Sequence, residues 1–325
     1  MKETLLGNRL GLMLEDFDLI KYASENYEEL YNKFVTNKFL VIRGHRELTD
    51  EEFSTVFTKF GKGVVWDKAF ERTEVGEVHR IIHRDTPSSA GKENAWHNET
   101  SWQKNPCKAV VINLKVVPTH GSDTLWIDTN KAWENLPNPI RQIVHKKSAL
   151  HTPPEKNYHT EIVKMTDQQA NNGLETSAVH PVVIQHPDTG LWHLYVNPLF
   201  TRYIKGMNKH HSHWVLTQIY NTFNTPEFQY RHRWKAGDIV IWDNRSTIHY
   251  ACSSYYPQYR ESRRLMLIST NGEPEWKTVD HLPLPSEAEY LSNNPEFFGA
   301  IKRLRNRKKW QNMDITHLIK KYAED

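Results

Sequence analysis

Cysteine is nearly absent from this chain: Cys107 and Cys252 are the only two in 325 residues, too few and too far apart for a disulfide framework. Long apolar runs are missing as well. No stretch approaches the roughly 18 residues that a membrane helix requires. The start MKETLLGNRLGLMLEDF lacks the basic-then-apolar order of a signal peptide, so the expectation is a cytoplasmic chain with no membrane partner. Nor is there an excess of charge of one sign: 42 basic and 39 acidic residues leave a net charge of +3, which offers no global attraction for nucleic acid. No Gly-rich strand-to-helix turn occurs, which disfavours a parallel dinucleotide-binding sheet. Nothing resembling an interdomain linker interrupts the chain.

What is abundant is aromatic surface. Eleven Trp, fourteen Tyr and twelve Phe supply large buried areas per residue, so a core can form although only 38% of residues are hydrophobic. Residues 26–36 place apolar groups at helical spacing, and Phe39-Leu40-Val41-Ile42 then reads as a buried strand closed by Gly44. Thr49 and Glu52 form a capping box before Phe53, Val56, Phe57 and Phe60, and Gly61 ends that helix. Short strands follow at 109–116, 123–128, 180–186, 191–197, 238–243 and 264–270, with one long amphipathic helix over 208–223 among them. This predicts an α+β, mainly β fold: a double-stranded β-helix, or jelly roll, with flanking helices and a mouth able to enclose a small ligand. Residues 1–285 are expected to form one domain. Residues 286–325, with the basic cluster Lys302 to Lys309, are expected to be a helical C-terminal appendage packed on it with its charges in water.

Two segments carry the chemistry: Trp96-His97-Asn98-Glu99 and, far later, Trp242-Asp243-Asn244-Arg245-Ser246-Thr247-Ile248-His249-Tyr250. Together they can supply two imidazoles and a carboxylate, a set that leaves three positions of an octahedral ferrous ion open, as an oxygenase needs. By itself a His-x-Asp/Glu pair is weak, since eighteen histidines should give about two by chance. Five occur, at His45, His83, His97, His159 and His186. Context separates two of them: His45 closes an apolar run, and His186-Pro187-Asp188-Thr189-Gly190 has the residues of a hairpin turn. His97 stands between two tryptophans, just before the β-branched run of residues 108–114.

These residues resemble the taurine dioxygenase family of Fe(II)/2-oxoglutarate-dependent oxygenases. The resemblance runs from about residue 3 to 273. Beyond the two segments it rests on Gly121 to Trp126, His180 to Val183, Tyr195-Val196-Asn197, Phe200-Thr201, Pro226 to Gln229, Trp234 with Gly237-Asp238-Ile239, and Arg263-Arg264-Leu265-Met266. It implies His97, Glu99 and His249 as iron ligands, with 2-oxoglutarate and O₂ as co-substrates. Thr124 and Arg264 would hold the distal carboxylate of 2-oxoglutarate, because a guanidinium can grip it bidentately. Arg263 is the runner-up, one register step away and so facing the other side of the strand. Trp96, Trp102 and Phe200 are candidate walls of a substrate pocket; Glu93, Lys68 and Arg260 are candidate charged contacts.

Three departures limit what transfers. The carboxylate is Glu99 where the taurine enzymes use Asp. Ile268 occupies the position of their sulfonate-binding arginine, four residues after Arg264. The 66–71 segment and Glu93 do not reproduce the residues on the sulfonate side. The expected activity is therefore hydroxylation of a small amino-acid-like or organic-acid metabolite other than taurine, with desaturation or another oxidative outcome open. Glu99 disfavours a halogenase, which needs a small residue there to admit halide. The rival from another class is a metal-binding jelly roll that senses a small molecule without turnover; Thr124 and Arg264, useful only toward a 2-oxoacid, favour the enzyme. The partner implied is a small-molecule substrate, and homo-oligomerisation is left open.

Overall fold

A computed structural model describes residues 1–64, 71–83, 94–153 and 177–278. The expected appendage over 286–325 lies outside them, as do Glu93, Lys68 and His159. A large sheet of nine described strands dominates. Its path runs Lys2–Leu5, Leu12–Glu15, Phe39–Ile42, Ile239–Asp243, Ala109–Val116, Arg260–Ile268, His79–His83 and Glu71–Arg72, and Lys62–Val64 pairs with the far end of Arg260–Ile268. All its pairings are antiparallel except that of Leu12–Glu15 with Phe39–Ile42. Three smaller sheets accompany it among the described residues, of which Gln229–His232, Thr124–Asp128 and Thr247–Ala251 form the one that matters for the site.

Phe39–Ile42 and Ile239–Asp243 are buried at every position, so their sequences read as unbroken apolar runs. The period-2 alternation is still present in what each side chain touches. Leu40, Ile42, Ile239, Ile241, Val111, Leu265 and Leu267 pack toward helices Tyr27–Asn37 and Asp50–Phe57 through Leu30, Phe34, Phe53 and Phe57. Phe39, Val41, Val240, Trp242, Val110 and Met266 point the other way, onto Trp126 and Trp234. The large sheet thus separates an outer helical layer from an aromatic interior, where Phe39 stacks on Trp126 with ring centroids 4.9 Å apart. Ile127 and Ile248, on the opposite faces of their strands, join a further apolar cluster with helix Lys209–Thr222.

Most expected elements are present, including the capping box: Glu52 N–H donates to Thr49 Oγ1 at 3.2 Å, and Thr49 N–H to Glu52 Oε2 at 3.0 Å. Gly61 follows because a Cβ there would lie 2.6 Å from the Ile268 carbonyl oxygen. Three strands differ from expectation, one of them the run 191–197, which is a strand only at Trp192–Leu194. The run 180–186 divides into Ala178–Pro181 and Val183–Gln185, which join different sheets, and the break falls where Pro181 has no N–H to give a ladder. The strand expected at 264 begins at Arg260, because the polar residues before Arg264 find partners on both faces, as Glu261 does with Arg80 at 2.8 Å.

One buried ion cluster ties the strand Ile239–Asp243 to its neighbours. Arg245 lies 2.7 Å from Asp243, which also accepts from His186 at 2.9 Å, and the outer side of the guanidinium meets Glu275 at 3.2 Å. Burial raises the Asp243 pKa, but Arg245 and His186 outweigh it and hold the carboxyl well below its ordinary range. Removing one partner strands the other without water. Asp243→Asn should cost about 3 kcal/mol of unfolding free energy in urea titrations. A loss below about 1 kcal/mol, the scale of an exposed pair, would contradict this account.

Candidate active site

The site forms where the two motif segments meet. His97 and His249 make an isolated antiparallel bridge, His97 N–H to the His249 carbonyl at 3.0 Å and His249 N–H to the His97 carbonyl at 2.9 Å. So short a ladder needs support, and two asparagines provide it. The Asn98 amide donates to the carbonyls of Asn244 and Thr247 at 2.8 and 2.9 Å. The Asn244 amide donates to the Glu99 carbonyl at 3.0 Å and accepts from Glu99 N–H at 2.9 Å. Each segment thereby satisfies buried backbone groups of the other.

Three potential ligand atoms, one each from His97, Glu99 and His249, converge within 4.8 Å of one another. Glu99 Oε1 lies 3.9 Å from His97 Nε2 and 3.7 Å from His249 Nε2. His97 Nδ1 stands 2.7 Å from the Ala95 carbonyl, which can only accept, so Nδ1 carries the proton and the Nε2 lone pair is free for a metal. Burial, then the nearby His97 and Arg264, push the His249 pKa well below its ordinary value, which keeps this imidazole neutral. Two imidazoles of this kind and a carboxylate suit Fe(II) and leave room for further ligands.

The faces of two strands set what surrounds this point. Thr124, Trp126 and His249 share one face, because Trp126 is the cross-strand partner of His249 and Thr124 that of Ala251. On Arg260–Ile268 the outward residues include Arg263, which donates to Asp50 at 2.7 Å and to Asn113 at 3.0 Å and lies over the Phe53 ring. Arg264 faces the interior, with Nη1 3.4 Å from Glu99 Oε1. Arg260, Met266 and half-buried Ile268 share that side by alternation. Phe200 meets His97 edge-on with centroids 5.8 Å apart, and Trp102 meets Phe200 at 4.5 Å, so these two form a wall beside the candidate ligands. Trp96 packs instead on Tyr250 and the apolar cluster of Ile127 and Ile248. The competing histidines lie elsewhere: His45 is half-buried near the Gly237 carbonyl, and His186 serves Asp243.

The chain is similar to known proteins. The family model "Taurine catabolism dioxygenase TauD, TfdA family" matches residues 5–268. The chain belongs to that family. Its curated relatives include an alkylsulfatase of Acinetobacter baylyi, 30% identical over 88% of this chain and 91% of the relative. An α-ketoglutarate-dependent sulfate ester dioxygenase of Pseudomonas putida is 29% identical over 74% of this chain and 80% of its own length. A solved structure titled as a putative α-ketoglutarate-dependent taurine dioxygenase from Burkholderia xenovorans superposes with a TM-score of 0.68 at 24% identity, covering 82% of this chain and 89% of that one. The protein is an Fe(II)/2-oxoglutarate-dependent dioxygenase of this family, and its mainly β fold is that of the solved members.

Asn98, Asn244 and Trp234 sit inside the motif blocks, yet sequence reasoning gave them no role; the signal available was their position beside the candidate ligands. Asp238 is a further case. It accepts from Arg43 at 2.7 Å, His232 at 3.1 Å and the Lys235 N–H at 2.9 Å, and so pins the turn that carries Trp234. Burial raises its pKa, but Arg43 and His232 outweigh this and bring it from 3.8 to about 2. A carboxyl whose folded pKa is depressed contributes stability that is full above the unfolded value and is lost as pH falls through the folded one. The stability gap between wild type and Asp238→Asn should therefore close as pH falls from about 4 to about 2. A gap constant across that window, measured by denaturant titration, would show that the carboxylate charge is not its source.

Proposed function

We propose that this dioxygenase holds iron through His97, Glu99 and His249, binds the distal carboxylate of 2-oxoglutarate through Arg264 and Thr124, and hydroxylates a small amino-acid-like or organic-acid metabolite inside a double-stranded β-helix. The observation that carries this reading is the convergence of two imidazoles and one carboxylate within 4.8 Å, beside an inward-facing arginine. Bound iron with its 2-oxoglutarate would supply the O₂ activation and the oxidising power; the chain's residues supply position and dryness. Arg264 offers a planar fork to the distal carboxylate, and the Thr124 hydroxyl adds a hydrogen bond. Trp102 and Phe200 exclude water beside His97 and leave an apolar surface for the carbon to be oxidised. Arg263 is paired with Asp50 on the outer face, which supports Arg264 for the co-substrate.

Iron content reads the ligand assignment directly. His249→Ala should lose bound Fe(II) and all 2-oxoglutarate turnover, whereas His45→Ala should keep both. Full iron occupancy in the His249 variant, by metal analysis of protein with a native melting profile, would remove it from the ligand set.

The substrate class rests on Ile268. Several relatives bear names that refer to sulfonates or sulfate esters, but position 268, on the Arg264 face of its strand, carries a hydrocarbon where the taurine enzymes are expected to place a guanidinium. A sulfonate or sulfate left unpaired in a dry pocket costs several kcal/mol. Neither taurine nor an alkyl sulfate should stimulate succinate release, while a member of an amino-acid and organic-acid panel should. Robust taurine-dependent sulfite release, or alkyl-sulfate-dependent sulfate release, would overturn the inference from Ile268.

A further inference from the structure

Thr124 is bonded by a group that can only give. Trp234 Nε1–H donates to Thr124 Oγ1 at 3.0 Å, and both side chains are buried. An indole N–H has no acceptor role, so the hydroxyl is forced to act as the acceptor in this pair. One lone pair is thereby occupied, and the hydroxyl's single hydrogen is left for a different acceptor. An unconstrained hydroxyl rotates to suit whatever is near it. Here the rotor is restricted twice, because Thr is β-branched and stiff at χ1 on a strand and its oxygen is held by the indole.

The indole is itself fixed. Its ring meets His232 edge-on with centroids 4.8 Å apart and lies 6.5 Å from Trp126. The turn that follows is held by Asp238 with Arg43, His232 and the Lys235 N–H. We infer that Trp234 is a positioning residue for the co-substrate: by donating to Thr124 it commits the Thr124 hydroxyl hydrogen to the distal carboxylate of 2-oxoglutarate. This inference rests on the assignment of Thr124 to that carboxylate. An ionised carboxylate only accepts, so a hydroxyl that already accepts from the indole and still has its hydrogen to give is matched to it. Trp234 acts through Thr124 and touches neither iron nor co-substrate.

The test measures 2-oxoglutarate affinity by anaerobic calorimetry on the full-length Fe(II)-loaded protein. Trp234→Phe removes the N–H and keeps an aromatic ring; it should weaken 2-oxoglutarate binding about three- to tenfold, the range of one lost hydrogen bond. Iron affinity should stay at the wild-type value. Thr124→Val should weaken 2-oxoglutarate at least as much, and the double variant should bind it no worse than Thr124→Val alone, because the indole then has no hydroxyl to orient. Thr124→Ser keeps a hydroxyl and should keep the sensitivity to Trp234→Phe. Trp234→His, which retains a ring N–H, should recover part of the affinity and separates donation from packing if the Phe variant is unstable. Additive losses in the Trp234→Phe, Thr124→Val double variant would mean that Trp234 acts by packing and would overturn the inference while leaving Thr124 in its role. Unchanged affinity in Thr124→Val would instead remove Thr124 from the co-substrate site, and the inference with it.

Discussion

Everything at the centre of this protein depends on the joining of residues 97–99 to residues 244–249. The bridge between His97 and His249 contains only two backbone hydrogen bonds, too few to fix a geometry against the entropy of two loops. Asn98 and Asn244 extend it with side-chain amides that act as surrogate peptide groups. Because Asn244 takes both the N–H and the carbonyl of Glu99, it sets the backbone from which the carboxylate extends. The loop that carries Asn244 is in turn held by the buried Asp243 and Arg245 pair. The chain of support runs from an ion pair through an amide to a carboxylate, each group satisfied only if the next is in place.

The second constraint is alternation along Arg260–Ile268. Consecutive arginines on one strand must serve different layers: Arg263 closes the helical side against Asp50 and Phe53, while Arg264 enters the aromatic interior. A slip of one residue would exchange them, placing Arg264 among the helices and the Asp50 partner in the aromatic interior. The outer layer therefore protects the site's register, since Leu265 and Leu267 have to stay in the cluster with Phe53 and Phe57. The same alternation fixes which side of its strand Ile268 faces.

How much of this the sequence made legible follows from the range of each interaction. The Thr49 and Glu52 box is three residues long and was readable, as was the opposite facing of Arg263 and Arg264, which needs only a period of two. The buried strand Phe39–Ile42 was readable as apolar but not in its pairing, because a strand covered on both faces shows no alternation in hydropathy. His97 and His249 were legible as a pair only through the blocks around them; spacing alone did not separate five His-x-acid matches. The unread part is long-range and polar. Arg43 with Asp238, His186 with Asp243 and Trp234 with Thr124 join residues up to 195 positions apart. No local pattern encodes such pairs, since each partner alone looks like an ordinary surface residue or a core aromatic. Polar Arg260 to Ser262 fell outside the expected strand for the same reason: their strand character comes from partners on neighbouring strands.

Charge balance then explains why metal and co-substrate belong together in so dry a place. Among the described residues that line the candidate site, Glu99 brings one negative charge and Arg264 one positive charge, 3.4 Å apart, and His249 is kept neutral by its burial. These two charges offset each other. Fe(II) alone would add two positive charges to the site, and 2-oxoglutarate alone two negative ones. Either addition leaves an uncompensated charge in a medium that screens poorly, at a cost of several kcal/mol. Added together, their charges cancel, which is why one is better accommodated with the other than alone. The 3.4 Å contact between Arg264 and Glu99 is the fixed point of the interior: it turns both side chains inward from different segments, each offsetting the other's charge where water is scarce.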